Sequence, residues 1–485
     1  MIRHRVARPW DQWSVEEPEA PAVVWTGGSW SWRTLLARAE ERAARLEAEG
    51  LRPGDVVSVE ANLDAGLVAD LLALWRMGGV AAPTYSRLTP PERARQNALA
   101  RPKWRLTDGA ARPGEGSVEE PRLLCSVRSP TEALRVPVDS GLAALLTTSG
   151  SSGEPRCVAI SHRALEASAR AAGERLGLAR KDCWGLLLSP AHAGGLSTIM
   201  RVLTLGSSLR CWGGREAGTP FPEVVRSVIA GDLSHLSVVP ALVVPFLDAL
   251  PSPPPPTFRC LLVGGAALST PFRSRAAEAG VPLALTWGMT ETGGQIATAA
   301  PETVAAVGAT VGRPLRGMDV RVGRGGELSV RGPFLADGWI TEPGGDLRPL
   351  PLEPGGWYRT PDLGALDGEG RLRIHGRSDD VIISGGVNVD PREVEEVLLT
   401  HPGVREAAVL GVPHDRWGEV VVAAVVTGEE GLDVDALHAE CRAHLTRSKC
   451  PTHIVLLPEL PRTATGKVSR GRLAEILTRS NGPAQ

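Results

Sequence analysis

Ala143-Ala144-Leu145-Leu146-Thr147-Thr148-Ser149-Gly150-Ser151-Ser152-Gly153-Glu154-Pro155-Arg156 runs from an apolar stretch straight into a loop of small hydroxyl residues and glycines. Four apolar residues bounded by turn formers suit a strand covered on both faces, as in a parallel α/β sheet. Beyond the strand, hydroxyls and glycines let backbone N–H groups turn inward around a phosphate, with Pro155 and Arg156 closing the loop. An ordinary Gly/Ser linker has the same composition. The stretch lacks the Gly-x-x-x-x-Gly-Lys-Ser/Thr of a Walker loop and the Gly-x-Ser-x-Gly of a hydrolase elbow. Gly466-Lys467 fails the Walker pattern as well, because Pro461 stands where its first glycine belongs.

Working outward, strands and helices alternate on the N-terminal side. Residues 30–50 space Leu35, Leu36, Ala39, Ala43 and Leu46 as one face of a helix. Val56 to Val59 reads as a strand, Leu67 to Trp75 as a helix, and another strand follows Gly78-Gly79. Ala143–Leu146, Gly185–Leu188, Leu236–Val239 and Cys260–Val263 read as buried strands, and Pro251 to Pro256 as a surface loop. From about residue 318 the texture changes. Asp319–Val322, Glu327–Val330 and Arg371–His375 alternate apolar and polar residues, as antiparallel strands do. After Gly385-Gly386 it changes again. A helix at Pro391–Leu399, strands at Glu406–Gly411 and Val420–Val426, and a helix at Val434–Leu445 make a compact α+β unit. The expected fold class is therefore α/β: a large N-terminal unit over 1–378 with a small β-rich subdomain, then a small α+β unit over 379–485. The hinge is expected near Asp379.

Composition narrows the function. The 485 residues carry 53 Lys plus Arg against 55 Asp plus Glu, a net charge of −2. That balance gives no pull toward nucleic acid or an anionic membrane. No apolar run approaches the ~20 residues of a membrane span, and Met1 to Trp10 is polar and basic, without the apolar region of an export signal. Seven scattered cysteines without Cys-x-x-Cys argue against both a disulfide framework and a zinc cluster, and fit a reducing cytoplasm. Only four cations are lysine (Lys103, Lys181, Lys449, Lys467) in an arginine-rich chain. A lysine retained against that bias points mildly to chemistry.

Three further segments carry reactive groups. In Trp287-Gly288-Met289-Thr290-Glu291-Thr292, an aromatic plane adjoins a hydroxyl and a carboxylate that suit a base, a phosphate and Mg²⁺. A buried tryptophan beside a helix cap would look alike. Trp357-Tyr358-Arg359-Thr360-Pro361-Asp362-Leu363 is followed, fifteen residues after Asp362, by Arg377 in Gly376-Arg377-Ser378-Asp379-Asp380. A carboxylate accepts both hydroxyls of a ribose and an arginine holds a phosphate, although charged turn residues match equally. In Pro461-Arg462-Thr463-Ala464-Thr465-Gly466-Lys467, the ammonium is a movable point charge suited to an anionic transition state, or else a solvated surface lysine.

In this order and spacing, the four segments resemble the signatures of the adenylate-forming superfamily of acyl-CoA synthetases, adenylation domains and luciferases. The resemblance spans Trp30 to about Leu473. It implies a phosphate loop at Thr148, Ser149, Gly150, Ser151, Ser152 and Gly153. Gly264, Gly265, Ala266 and Trp287 would flank the adenine, Thr290 would face the α-phosphate, and Glu291 would help hold Mg²⁺. Asp362 would take the ribose hydroxyls and Arg377 the ribose or phosphates. Lys467 would bridge carboxylate and α-phosphate. Asp379 would be the hinge of a mobile C-terminal domain, and Gly385-Gly386 the loop that enters for thioester formation. The implied partners are ATP, CoA and a small aryl or acyl carboxylate, and a homodimer is compatible with the superfamily. Departures from its pattern are Ser151-Ser152 for threonines, Arg156 for lysine, Cys157 for glycine, Trp287 for tyrosine and Pro361 for a glycine before Asp362.

Leu188-Ser189-Pro190-Ala191-His192-Ala193-Gly194-Gly195-Leu196-Ser197-Thr198-Ile199-Met200-Arg201 is similar to the o-succinylbenzoate–CoA ligase group of the superfamily, found in menaquinone biosynthesis. So are Gln295-Ile296-Ala297-Thr298 and His235-Leu236-Ser237-Val238-Val239-Pro240, whereas Gly293-Gly294 is richer in glycine than that group. Such an acid keeps a second carboxylate while the first is activated, and an anion in a pocket needs a cation or several donors. His192 and Arg201 are the candidates, with Gly195 between them. Another aryl- or acyl-CoA ligase, or an enzyme that loads a separate carrier protein, would share the same machinery.

Overall fold

Helix Ala65–Arg76 is buried at every residue, and this sets the layering, because a predominantly apolar helix buried on all faces lies between other layers. It packs between strand Val80–Thr84 of one sheet and strand Pro21–Trp25 of another. Asp64 caps it by accepting from Leu67 N–H at 2.7 Å. The structure, a computed structural model, describes residues 8–85, 88–107, 123–126, 133–134, 136–149, 155–213, 221–414, 417–428, 432–463 and 468–480.

Among the described residues, two eight-stranded sheets form the large unit. One runs in the order Gly294–Ala299, Leu283–Met289, Cys260–Val263, His235–Val238, Cys183–Gly185, Ser208–Arg210, Pro21–Trp25, Gly28–Ser31. Its interior pairs are parallel and its two edge pairs antiparallel. The other runs Arg348–Pro349, Gly338–Ile340, Pro155–Ser161, Leu142–Ser149, Val80–Thr84, Val56–Glu60, Trp104–Thr107, Leu123–Ser126. Helices Ala65–Arg76, His162–Leu176 and Ala193–Leu205 lie between the sheets and share one core with both. Separate cores cover each sheet's outer face. The result is five alternating layers of helix and sheet, the arrangement expected when parallel strands need cover on both sides.

A five-stranded antiparallel sheet built from Asp319–Val322, Glu327–Arg331, Leu352–Glu353, Trp357–Leu366 and Leu372–Arg377 follows. A single exposed turn, Ser378–Asp380, then leads to a last sheet of Ile382–Ser384, Val387–Val389, Val404–His414, Gly418–Thr427 and His453–Leu457. The cores on either face of this sheet draw only on residues from Ile382 onward.

Most expected elements are present, with shifted ends. The helix expected over 30–50 is Trp32–Ala48. Trp30 and Ser31 belong to an edge strand instead, and the Ser31 hydroxyl accepts from Thr34 N–H to start the helix. The strand expected at Gly185–Leu188 is Cys183–Gly185. Leu186 N–H still donates to Arg210 O, after which Leu187 is buried without ladder pairing. Pro155 and Arg156, expected to close a loop, open strand Pro155–Ser161, which pairs antiparallel with Leu142–Ser149 so that Thr148 lies opposite Arg156. The elements not expected from the sequence include helices His162–Leu176 and Ala193–Leu205 in the large unit, and strand His453–Leu457 and helix Arg470–Ser480 in the C-terminal unit.

Candidate active site

In open α/β sheets, ligands bind beyond the carboxyl ends of the parallel strands. At that end of the first sheet, Cys260–Val263 leads into Gly264-Gly265-Ala266, and Leu283–Met289 leads into Thr290-Glu291. A Cβ on Gly264 would lie 2.6 Å from the Thr286 methyl, and Gly265 has φ +86°, so backbone stands exposed where side chains would crowd. Thr290–Thr292 is a short 3₁₀ turn fastened by the Thr292 hydroxyl, which donates to Met289 O and Gly294 O. Gly293 and Gly294 follow at φ +61° and +128°. The glycine-rich departure at this point is thus a conformational requirement of the turn.

Trp287 reaches sideways to the third sheet. Its indole N–H donates to Asp362 Oδ2 at 2.8 Å, and Asp362 is in register with Arg377 on the neighbouring strand. Pro361 does not disturb this. It lies where the ladder to Glu327–Arg331 shifts register, a position that tolerates a missing N–H, and Ser378 Oγ donates to its carbonyl at 3.1 Å. Arg377 also lies 3.7 Å from Asp379 in the Ser378–Asp380 turn.

Glu291 faces this group. Burial raises its carboxyl above the ordinary range; its own backbone N–H and the charges of Arg156 and Arg377 oppose the rise, and Asp362 adds to it. The pKa of Tyr358, buried four residues before Asp362 on the same strand, is raised by burial first and then by Glu291. Arg156 lies 4.8 Å from the face of Trp339, which stands edge-on to Tyr358. Six side chains from four separate segments therefore converge: Arg156, Trp287, Glu291, Tyr358, Asp362 and Arg377. Two carboxyl groups, two guanidiniums and two aromatic rings are the equipment for a charged, ring-bearing ligand. Sequence reading quoted Tyr358 and Arg156 without assigning them here. The scarcity of tyrosine, two in the chain, was the available signal for Tyr358.

The second constellation lies along helix Ala193–Leu205. His192 occupies its N-cap position, 6.2 Å from the Tyr85 ring. Gly195 is there for packing space, since a Cβ would come within 2.3 Å of Leu188 O. Arg201 is 2 % exposed. Its guanidinium donates to Gln295 Oε1 (2.5 Å) and Thr198 Oγ1 (3.0 Å) and lies 4.3 Å over the Trp184 ring. Gln295 in turn donates to Thr298 and Thr286, and Trp184 Nε1–H donates to Ser237 Oγ. Burial pulls the Arg201 pKa down to about 9. Among the described residues no carboxylate pairs with Arg201, and its Nε has no hydrogen-bond partner. Gln295, quoted from the sequence only within a segment of resemblance, and Trp184, not quoted there, both hold this charge; sequence ties neither to Arg201, which lies 94 and 17 residues away from them along the chain.

Gly385-Gly386 forms a two-residue hairpin turn, with φ +57° and +82° and Ser384 opposite Val387, the geometry that demands glycine twice. Gly150, Ser151, Ser152, Gly153 and Lys467 lie outside the described residues. Among the described residues no three metal-ligating side chains gather, and no helix is long and apolar enough to cross a membrane.

Residues 10–340 match the AMP-binding enzyme family and residues 393–467 its C-terminal domain; the chain belongs to this family of adenylate-forming, AMP-releasing ligases. Within it, the chain is 31% identical to the 2-succinylbenzoate–CoA ligase of Geobacillus sp. (strain WCH70), covering 96% of each chain. Its fold is similar to the o-succinylbenzoate CoA synthetase of Bacillus subtilis in complex with the acyl-adenylate intermediate. That likeness has a TM-score of 0.83 at 26% identity and covers 99% of each chain. A double mutant of the same enzyme bound with its product analogue gives a TM-score of 0.67 at 27% identity, over 97% of this chain and 98% of that one.

Proposed function

We propose that this chain is an AMP-forming o-succinylbenzoate–CoA ligase. The observation that carries the acid's identity is Arg201: a buried guanidinium with no carboxylate partner among the described residues. A buried charge is costly unless paired, and a second carboxylate on the substrate supplies the missing partner. His192 at the mouth of the same helix is the second donor.

The chemistry proceeds in two displacements. A carboxylate oxygen of the acid attacks the α-phosphorus of ATP, the bond to the β-phosphate oxygen breaks, and pyrophosphate leaves with its electron pair. The thiol sulfur of CoA then attacks the acyl carbon, its proton passes to solvent, and AMP leaves as the C–O bond breaks. We assign Trp287 and the backbone at Gly264-Gly265-Ala266 to the adenine, Asp362 and Arg377 to the ribose, and Thr290 to the α-phosphate. The segment from Thr148 to Gly153 takes the leaving phosphates, with Arg156 beyond it in the chain, and Lys467 the carboxylate and α-phosphate. Mg²⁺ brought by ATP binds through one or two carboxylates besides the phosphates. Glu291 fits that need, being a carboxylate beside the nucleotide residues whose burial cost a cation would relieve. When bound, the metal neutralises charge building on the phosphates.

The reading includes two domains, 1–378 and 379–485, turning about Asp379 between the half-reactions, in a cytoplasmic protein. The single covalent turn at 378–380 and the separate cores beyond Ile382 support the division. ATP–pyrophosphate exchange that depends on o-succinylbenzoate tests the proposal; exchange with monocarboxylates alone contradicts it.

A further inference from the structure

Helix Thr270–Glu278 begins without a cap of its own. Ser269 holds the N-cap position, yet its side chain accepts nothing from the helix and its Oγ is buried without a hydrogen-bond partner. Thr270 N–H donates instead to the two carboxylate oxygens of Glu396, at 3.2 and 3.0 Å. Glu396 lies on helix Pro391–Leu398, beyond the Ser378–Asp380 turn. A residue of the C-terminal unit therefore caps a helix of the large unit. Arg273, one turn into that helix, adds a favourable charge: its guanidinium, held by Leu268 O and Thr270 Oγ1, is attracted by Glu396. A carboxylate at a helix N-terminus is stabilised by the unpaired amides and by the helix dipole.

We infer that Glu396 is a positioning residue for adenylate formation: it holds the C-terminal unit in the orientation seen here by capping helix Thr270–Glu278 across the domain boundary. The inference rests on the two-step reading above. The whole chain is more similar to the acyl-adenylate complex of the Bacillus subtilis enzyme than to its product-analogue complex, which assigns this orientation to the first half-reaction. Turning about Asp379 carries Glu396 away from Thr270, so the contact favours one arrangement over the other. Interactions of this kind shift a two-state balance about fivefold.

The test uses the full-length enzyme and its Glu396→Ala and Glu396→Gln variants. Two rates are read: ATP–pyrophosphate exchange for the first step, and thioester formation from synthetic o-succinylbenzoyl adenylate plus CoA for the second. Glu396→Ala is expected to slow exchange about fivefold and leave thioester formation unchanged or faster, with Glu396→Gln in between. Equal loss in both steps, or no change in either, overturns the inference. Hydrogen exchange of the peptide spanning residues 268–276, followed by mass spectrometry, tests the contact without any substrate. Faster exchange at Thr270 in Glu396→Ala supports it, and an unchanged rate overturns it. Absence of exchange with o-succinylbenzoate in the wild-type enzyme counts against the substrate reading and leaves this second measurement intact.

Discussion

Trp287 and Asp362, 75 residues apart in sequence, are joined by an indole N–H donated to a carboxylate oxygen at 2.8 Å. The bond links the last strand of the parallel run to the antiparallel sheet and fixes the carboxylate assigned to the ribose. The tryptophan offers an aromatic face and supplies the donor of this bond. Trp287→Phe keeps the face and removes the donor. A hydrogen bond to a charged group contributes about 1.5 kcal/mol. The KM for ATP is therefore expected to rise about tenfold with little change in kcat, read by pyrophosphate exchange at varied ATP. A fall in kcat with KM unchanged would assign the bond to the transition state instead.

Glu291 makes opposite predictions for stability and activity. Burial raises its pKa in the folded state, so the folded protein favours the neutral form. Its contribution to stability is full below the unfolded carboxyl pKa and is lost as pH rises through the raised folded value. Glu291→Gln is therefore expected to raise Tm at neutral pH and leave it unchanged at pH 4 or below. The same substitution removes the proposed metal-facing charge and is expected to cut the adenylation rate by about 10²-fold, the scale of losing one electrostatic group in an active site. Thermal unfolding at two pH values and exchange assays at varied Mg²⁺ check both arms.

Arg201 and Gln295 are predicted to act together. Gln295→Leu leaves a buried guanidinium short of its main acceptor and is expected to destabilise the protein by about 3 kcal/mol, measured by urea unfolding. Arg201→Lys keeps the charge and loses the forked donor geometry. Its KM for o-succinylbenzoate is expected to rise about 10²-fold, while 3-benzoylpropionate, which lacks the ring carboxylate, is handled as by the wild type. The second number follows from losing one charge-assisted pair of about 3 kcal/mol.

The layered architecture was legible because each layer leaves a local mark. Cys260–Val263 is a four-residue apolar run closed by Gly264-Gly265, and it is a buried strand with those bounds. Asp319–Val322 alternates, and it is an antiparallel strand with those bounds. Gly185–Leu188 misled because apolarity reports burial, and Leu187 is buried after the ladder has ended. Pro155–Ser161 was missed because a hairpin partner is defined by the strand it returns to, here Leu142–Ser149. In the site, residues in short motifs such as Thr290-Glu291 and Asp362 were legible one segment at a time. What no segment carries is the meeting of Arg156 with Glu291, of Trp287 with Asp362, or of Arg201 with Gln295. These depend on how distant strands are ordered in a sheet, and pairwise spacing along the chain holds no trace of that order.

The central claim is that a buried Arg201, with no carboxylate partner among the described residues, makes this an enzyme for a dicarboxylate. The most direct measurement supplies purified protein with ATP, Mg²⁺ and CoA and either o-succinylbenzoate or 3-benzoylpropionate, following AMP and acyl-CoA by mass. The predicted result is AMP and o-succinylbenzoyl-CoA in equal amounts, with kcat/KM for the diacid at least 10²-fold above that for the monoacid. Equal turnover of the two acids, or pyrophosphate release without any CoA thioester, would contradict it.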